Sequence, residues 1–439
     1  MGIPIHFLIV TLLWGTRGLC QYNIYDYDED DGLEHENQYP PHVPLTHNVD
    51  YGVPHFPYST DCARECFCPP AFPLTMYCDN RKLKTIPKIP SRIHQLHLQY
   101  NEIESVTASS FINATSLTEI NLSHNKIMSD KIEVGAFTKI PHLTQLFLNY
   151  NELDEIPSPL PSSTERLHLG FNKINKVREN DFQGLVNLTM LDLCNNQIET
   201  IKGKALTKPK SLMQLNICNN KLHSMPVKLP ASLMYLSLEN NSISEIPGDY
   251  FTNLPNLQAI RMSHNQLKEI PVKMFDLPNL VELNVGHNKL KHVFFVPRSL
   301  EHLYLQDNEI DILNITLMCP AINPMNTNRL TYLRVDQNKL KAPISTYAFL
   351  CYPHIQSIYY GEQKHEPHIQ SPLIPQYPMT EDEEDYDRET IRYHGYRHVE
   401  DQREVQEYHQ REHEEDERDA PEYREHGDVE DGYFDHYSY

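Results

Sequence analysis

Apolar residues in the middle of the chain fall into one recurring frame, L-x-x-L-x-L-x-x-N-x-L, in which alternating leucines give way to a fixed asparagine. Leu143-Thr-Gln-Leu146-Phe-Leu148-Asn-Tyr-Asn151-Glu-Leu153 is one copy, and Leu188-Thr-Met-Leu191-Asp-Leu193-Cys-Asn-Asn196-Gln-Ile198 another. The frame asparagines are Asn101, Asn125, Asn151, Asn172, Asn196, Asn220, Asn241, Asn265, Asn288, Asn308 and Asn338, at spacings of 24, 26, 21, 24, 24, 21, 24, 23, 20 and 30. Alternation over so few residues marks a short strand with one buried face. No single unit can bury its leucines, so the period predicts stacked units that share one continuous core.

Eleven such units predict a leucine-rich repeat solenoid of the α/β horseshoe class, with short parallel strands and a mostly non-helical back. Eleven strands at ~4.8 Å each give a concave face roughly 50 Å long. The asparagine amide can hydrogen-bond backbone groups that stacking would leave buried and unpaired. Proline closes several repeats, as in Ile86-Pro87, Ile156-Pro157, Ile246-Pro247 and Ile270-Pro271, which favours extended backs over helices. The open ends of the stack need caps. A cysteine cluster at 62–90 stands where the first cap belongs. Repeats 1–10 occupy 91–318, and a long last repeat with the second cap occupies 319–360.

Charge divides the chain differently. Its 439 residues carry a formal net charge of −22. Residues 21–61 hold nine Asp or Glu and no Lys or Arg, and residues 376–439 hold 23 acidic and seven basic side chains. The stretch 62–375, with 28 acidic and 30 basic residues, is nearly neutral. The segments 21–61 and 361–439 therefore read as disordered acidic tails on a neutral solenoid. A balance this negative argues against a nucleic-acid-binding surface.

Residues 1–20 read as a secretory signal, with an apolar run from Ile3 to Trp14 and small residues before the cut after Cys20, though no Lys or Arg precedes the run. No segment is long and apolar enough to insert in a membrane, so a secreted, extracellular chain is expected. Cleavage leaves eight cysteines, an even number suited to an oxidising compartment. Four cluster as Cys62-x3-Cys66-x-Cys68-x9-Cys78, and spacing alone permits three pairings among them. Without a C-x2-C pair, disulfides are favoured over zinc. Cys319 and Cys351 flank the last repeat. Cys194 and Cys218 fall at equivalent positions of adjacent repeats, close enough to bond. Side chains on neighbouring parallel strands point alike, however, and two free thiols are expected.

The C-x3-C-x-C-x9-C cluster, the alternation of 21- and 24-residue repeats and the 30-residue penultimate repeat (the ear) resemble the class II small leucine-rich proteoglycans. Stretches such as YCDNRKLKTIP, EINLSHNKI and LEHLYLQDNEI carry the same likeness, as does the acidic, tyrosine-rich N-terminal segment. The resemblance implies the disulfides Cys62–Cys68, Cys66–Cys78 and Cys319–Cys351. It also implies a keratan sulfate proteoglycan of mineralised extracellular matrix that binds fibrillar collagen, hydroxyapatite and cell-surface integrin. Integrin rests on resemblance only, since the chain has no Arg-Gly-Asp.

Five sequons, at Asn113, Asn121, Asn187, Asn240 and Asn314, are glycan acceptors where exposed. Asn121 lies between Ile120 and Leu122, so it is expected on the concave face. No Ser-Gly dipeptide offers a serine-linked chain, and by family likeness keratan sulfate would extend from the asparagine-linked glycans. Tyr22, Tyr25, Tyr27, Tyr39 and Tyr51 beside carboxylates are sulfation candidates, joined by Tyr386 and Tyr423 in the C-terminal segment. Multivalent acid without a folded cage suits a calcium-rich crystal face, here above all through EDEEDYD and EHEEDE. The N-terminal acid suits basic, heparin-binding proteins. Outward strand positions such as His97, Phe147, Arg166, Asp192, Tyr235, Arg261, Tyr304, Tyr332, Arg334 and Asp336 suit an extended polar partner. Arg334 and Asp336, in the ear repeat, are the collagen-contact candidates by family analogy.

Histidines before the frame asparagine (His124, His264, His287) read as repetition of structure rather than a zinc site. No catalytic motif and no cofactor motif is present, so the chain does not read as an enzyme. The alternatives are a diffusible signalling modulator or growth-factor-sequestering glycoprotein and, less favoured, a shed receptor ectodomain.

Overall fold

The computed structural model describes residues 61–364. The leader, the seven candidate sulfotyrosines and nearly all of both acidic segments lie outside the described residues.

Thirteen three-residue strands, from Thr75–Tyr77 to Ser357–Tyr359, form one parallel sheet in chain order. The register never slips. Met76, Leu96, Ile120, Leu146, Leu167 and Leu191 follow one another as paired central residues, and all are fully buried. In-register parallel pairing places every inward leucine beside its equivalent, which is how units too small to fold alone come to share a core.

Two strands exceed the eleven expected. Thr75–Tyr77 belongs to the N-terminal cap, with Met76 and Cys78 buried where leucines stand elsewhere. Ser357–Tyr359 follows the last frame asparagine, Asn338, and Gln363 does there what asparagine does in other repeats. Its Nε2 donates to Val335 O (3.1 Å) and Tyr360 O (2.7 Å), and its Oε1 accepts from Leu340 N at 3.2 Å.

The backs are mainly extended or bent, broken by 3-10 turns such as Ala108–Phe111 and Ala136–Lys139. The α-helices among the described residues, Ile315–Met318 and Tyr347–Cys351, stand on either side of the strand Tyr332–Arg334 in the chain. A second sheet pairs Lys176–Val177 with Thr200–Ile201. Behind the leucines lies a further apolar row. Phe111 meets Phe137 at 5.9 Å between ring centroids, and Phe251, Phe275 and Phe294 follow at 5.5 and 5.4 Å, all buried.

Each frame asparagine joins two repeats. Asn196 Nδ2 donates to Leu193 O of its own strand (3.1 Å) and to Leu169 O of the preceding one (2.9 Å), while its Oδ1 accepts from Ile174 N at 3.0 Å. Asn125, Asn172, Asn241, Asn265, Asn288, Asn308 and Asn338 repeat the arrangement.

Cys62 is bonded to Cys68 and Cys66 to Cys78 in the N-terminal cap. Two expectations are corrected. Cys194 and Cys218, expected as free thiols, form a third disulfide across neighbouring repeats, with their Cα atoms 4.5 Å apart. They sit two residues past the paired Asp192 and Asn216, where the chain is leaving the strand and the side chains no longer need point alike. Cys319 and Cys351, expected as a disulfide, are separate buried thiols. The Cys351 thiol is directed to Cys319 O (3.7 Å), and Cys319 Sγ accepts from Asn328 Nδ2 (3.5 Å). Burial, with the neighbouring Cys351, pushes the Cys319 thiol up to about 12.

Asn196→Ala would strand the Ile174 N–H in the core and remove one of the two asparagine donors from Leu169 O and Leu193 O, which keep Asn172 and Asn220. A destabilisation of about 2 kcal/mol is expected from the cost of an unpaired buried group. A lower denaturant midpoint checks this; an unchanged one would refute the asparagine's role. Alkylation of the unfolded, unreduced chain should leave Cys194 and Cys218 unmodified, and labelling of both in peptide mass spectra would contradict the bond.

Candidate binding surface on the concave sheet

The third residue of each strand faces the concave side, and the parallel register lines these residues into one row across the sheet. The row begins aromatic. Tyr77 stacks on His97 at 4.8 Å, and Phe147 on His168 at 4.4 Å. Its middle is short and polar, through Asp192, Asn216 and Ser237. Gly170 makes room there, since a side-chain carbon at that position would lie 3.2 Å from Asp192 Oδ2. Glu239 collects Ser263 Oγ at 2.6 Å and, more loosely, Asn284 Nδ2 at 3.4 Å.

The C-terminal third combines arginine with tyrosine. Arg261 donates to both carboxylate oxygens of Glu282 (2.7 and 3.3 Å) and lies 5.4 Å from the Tyr235 ring centroid. Tyr304 and Tyr332 pack at 5.3 Å. Arg334 donates to both oxygens of Asp336 (2.8 and 3.2 Å) and lies 5.4 Å from the centroid of Tyr359. Arginine and tyrosine presented together on a rigid sheet are the side chains that most often dominate binding energy.

The two contact candidates thus differ in kind. Arg334 is partly open at 37% side-chain exposure, whereas Asp336 retains 6% and serves to orient the guanidinium. Asp336 is covered by the chain that follows the last strand. Gly361, with φ +51°, passes so close that a side-chain carbon there would fall 2.7 Å from Asp336 Cβ. Tyr359, half exposed, was not singled out from the sequence, because only Ile358 marks its strand as apolar.

A second line of side chains runs along the edge of the face, at the residue before each frame asparagine. All eleven of these residues have φ between 49° and 57°. A left-handed backbone costs a non-glycine residue about 1–2 kcal/mol, and contact between successive side chains offsets it. Tyr100, His124, Tyr150 and Phe171 stack at 4.3, 4.1 and 4.1 Å. Asn195, Asn219 and Asn240 then pass amide hydrogen bonds at 3.0 and 2.6 Å. His264 stacks on His287 at 4.0 Å, His287 Nδ1 lies 2.8 Å from Asp307 Oδ2, and Lys364 pairs with Asp307. The recurring histidines are members of this ladder. Among the described residues, no three His, Cys, Asp or Glu side chains gather as a metal site would require.

The sequons are spread over the solenoid. Asn113, Asn187, Asn240 and Asn314 are exposed. Asn314 also caps the helix Ile315–Met318, its Oδ1 accepting from Leu317 N at 3.0 Å. Asn121 stands on the concave sheet, half buried, its Oδ1 accepting from Ser123 N and Oγ. No helix among the described residues is long and apolar enough to cross a membrane.

Burial, reinforced by Arg166, lowers the His168 pKa to about 4, so the ring is neutral at pH 7. Burial also lowers His97, against the opposing pull of Glu119 and Asp79. Asp192 is raised by burial despite the hydrogen bond from Cys194 N. Arg261 with Glu282 and Arg334 with Asp336 are the ion pairs of the concave face among the described residues.

Residues 91–153, 162–222 and 231–290 match the leucine rich repeat family model, and residues 61–90 match the leucine rich repeat N-terminal domain. The chain is 53% identical to osteomodulin of Bos taurus over 366 residues, covering 83% of this chain and 87% of that one. Osteomodulin of Mus musculus is 52% identical, over 83% and 86%. Keratocan of Homo sapiens is 42% identical over 315 residues, covering 68% of this chain and 88% of that one.

His168 yields a pH dependence with a definite sign. Its folded pKa lies below the ordinary 6.5, so between pH 6.5 and 4 the unfolded chain binds the extra proton and acidification destabilises the fold. At 1.36 kcal/mol per pKa unit the loss is at most about 3.5 kcal/mol. His168→Gln should flatten the stability profile over that window, and an unchanged slope in denaturant titrations would count against the assignment.

Proposed function

Because the chain belongs to the class II small leucine-rich repeat proteoglycan family, in which osteomodulin and keratocan are its relatives, we propose that it is a secreted keratan-sulfate-type proteoglycan that binds fibrillar collagen through its concave sheet. It is a leucine-rich repeat proteoglycan of the extracellular matrix and not an enzyme. The observation that carries the collagen reading is the C-terminal third of the sheet. There Arg261, Tyr304, Tyr332, Arg334 and Tyr359 lie on consecutive or nearly consecutive strands of one rigid surface. A rod-like partner could engage them in succession without any change in the sheet.

Its acidic segments extend the same reading. Residues 376–439, with 23 carboxylates, are suited to hydroxyapatite through many weak contacts. The N-terminal segment, with sulfation at Tyr22, Tyr25, Tyr27, Tyr39 or Tyr51, is suited to basic, heparin-binding proteins, and Tyr386 and Tyr423 would add sulfate at the other end. The five sequons are the proposed glycan carriers, with keratan sulfate on the asparagine-linked chains. Cell adhesion through an integrin rests on family likeness alone.

Arg334→Ala combined with Tyr359→Ala should weaken binding to fibrillar collagen by about tenfold, the scale of one modest hot spot. Asp336→Asn should weaken it less, by freeing the Arg334 side chain. Equal affinity of all three proteins in a fibril sedimentation assay would overturn the assignment of this surface. Amide replacement of the carboxylates in 381–387 should lower retention on apatite without altering collagen binding, and peptide N-glycosidase should collapse any polydisperse electrophoretic smear.

A further inference from the structure

The N-terminal cap presents a charge feature that the proposed collagen surface does not use. After the strand Thr75–Tyr77 the chain turns along the side of the solenoid, and within eight residues it exposes Arg81, Lys82, Lys84 and Lys88. None of the four has a carboxylate within 4.0 Å among the described residues. Glu102 is engaged with Lys126 at 3.7 Å and Asp61 with Arg92 at 2.9 Å, which leaves Asp79 as the loop's own carboxylate, with no cation within 4.0 Å among the described residues.

The loop is held rigidly. Arg81 N and Leu83 N both donate to Asn101 Oδ1, at 3.0 and 2.9 Å, and Asn80 N donates to Gln99 O at 3.1 Å. The Cys66–Cys78 disulfide anchors its start. Four like charges held on one loop against the single carboxylate of Asp79 repel one another, and an anionic partner relieves that repulsion without having to order the loop.

The same chain supplies such a partner nearby. Residues 26–36 carry seven carboxylates and no Lys or Arg, and Glu36 precedes Asp61, the first described residue of the cap, by 25 positions. A connection of that length reaches up to about 85 Å, far more than is needed to return to the cap. Covalent attachment places the acidic run at a local concentration on the order of mM, above what a free polyanion normally attains.

We propose that the basic loop 79–88 of the N-terminal cap is a docking surface for the chain's own acidic segment 26–36. Docking withholds those carboxylates from outside ligands until a more strongly basic protein competes for them. This second clause rests on the reading of the N-terminal segment as a ligand for basic proteins; the docking itself does not. The contact is electrostatic and exposed, so it weakens as salt shortens the screening length to about 3 Å at 1 M.

The test uses the full mature protein and zero-length carbodiimide cross-linking, in which a lysine amine displaces the activated carboxyl oxygen to form an amide. Peptide mass spectrometry should find residues 26–36 joined to Lys82, Lys84 and Lys88 several-fold more often than to the exposed Lys289, Lys291 and Lys341 of distant repeats. The pattern should survive tenfold dilution and fade in 1 M salt. An even spread over all lysines, loss on dilution or indifference to salt would overturn the proposal. In a second measurement, a chain with Arg81, Lys82, Lys84 and Lys88 replaced by Ser should bind immobilised protamine several-fold more tightly than the unaltered chain. If neither chain binds protamine while the cross-links stand, the basic-protein reading fails and the docking survives. If both bind it equally, the withholding role is overturned. A chain whose 26–36 carboxylates are replaced by amides should gain affinity for short heparin oligosaccharides at the cap. Equal heparin binding with and without those carboxylates would assign the loop to sulfated polysaccharide instead.

Discussion

A buried primary amide that bonds two successive strand ends and the loop before them is the interaction on which the structure depends. The leucines supply the drive to stack, but dispersion and burial are indifferent to small shifts along the strand. The asparagine is not indifferent. Its amide meets carbonyls of its own and the preceding repeat, and its oxygen takes an amide hydrogen from that preceding repeat, so a slipped register would leave groups unpaired on both sides. Gln363 extends the device to the last strand with a side chain one methylene longer.

With the register fixed, the faces follow. Each strand contributes only three residues, and the middle one is committed to the core, so the outer two decide what the concave surface is. Recurrence at the same height on every strand turns isolated residues into rows. An arginine in such a row finds the ring or carboxylate of its neighbour within reach, as Arg261 finds Tyr235 and Glu282, and Arg334 finds Asp336 and Tyr359. This pairing holds the side chains extended before any partner arrives, which reduces the ordering cost of binding.

The sequence made the repeat frame legible because leucine and asparagine occupy it almost without exception. The end strands were hidden because their frames are degenerate: Met76 and Cys78 replace leucines at one end, and at the other Ile358 stands almost alone with glutamine for asparagine. The phenylalanine row escaped notice because its members sit at different offsets within repeats of different length. The Cys194–Cys218 bond depends on backbone direction just past a strand, and the burial of Asp336 depends on a glycine 25 residues later. Neither is a matter of periodicity. The histidines before asparagine were visible as a repeat, but their purpose becomes clear only once the backbone there is seen to be left-handed and the rings to lie one above another.

The edge ladder changes chemistry twice along the solenoid, from rings to amides and then to a histidine–carboxylate–lysine chain. Within the ring or the amide block a unit could be duplicated or lost and like would still meet like. In the third block it could not, since loss of the Asp307 unit would take the acid from His287 and the partner from Lys364. The molecule has thereby acquired something that identical leucine frames cannot provide, an address for particular repeats, and gain or loss of modules during evolution should be tolerated in the first two blocks and penalised in the third.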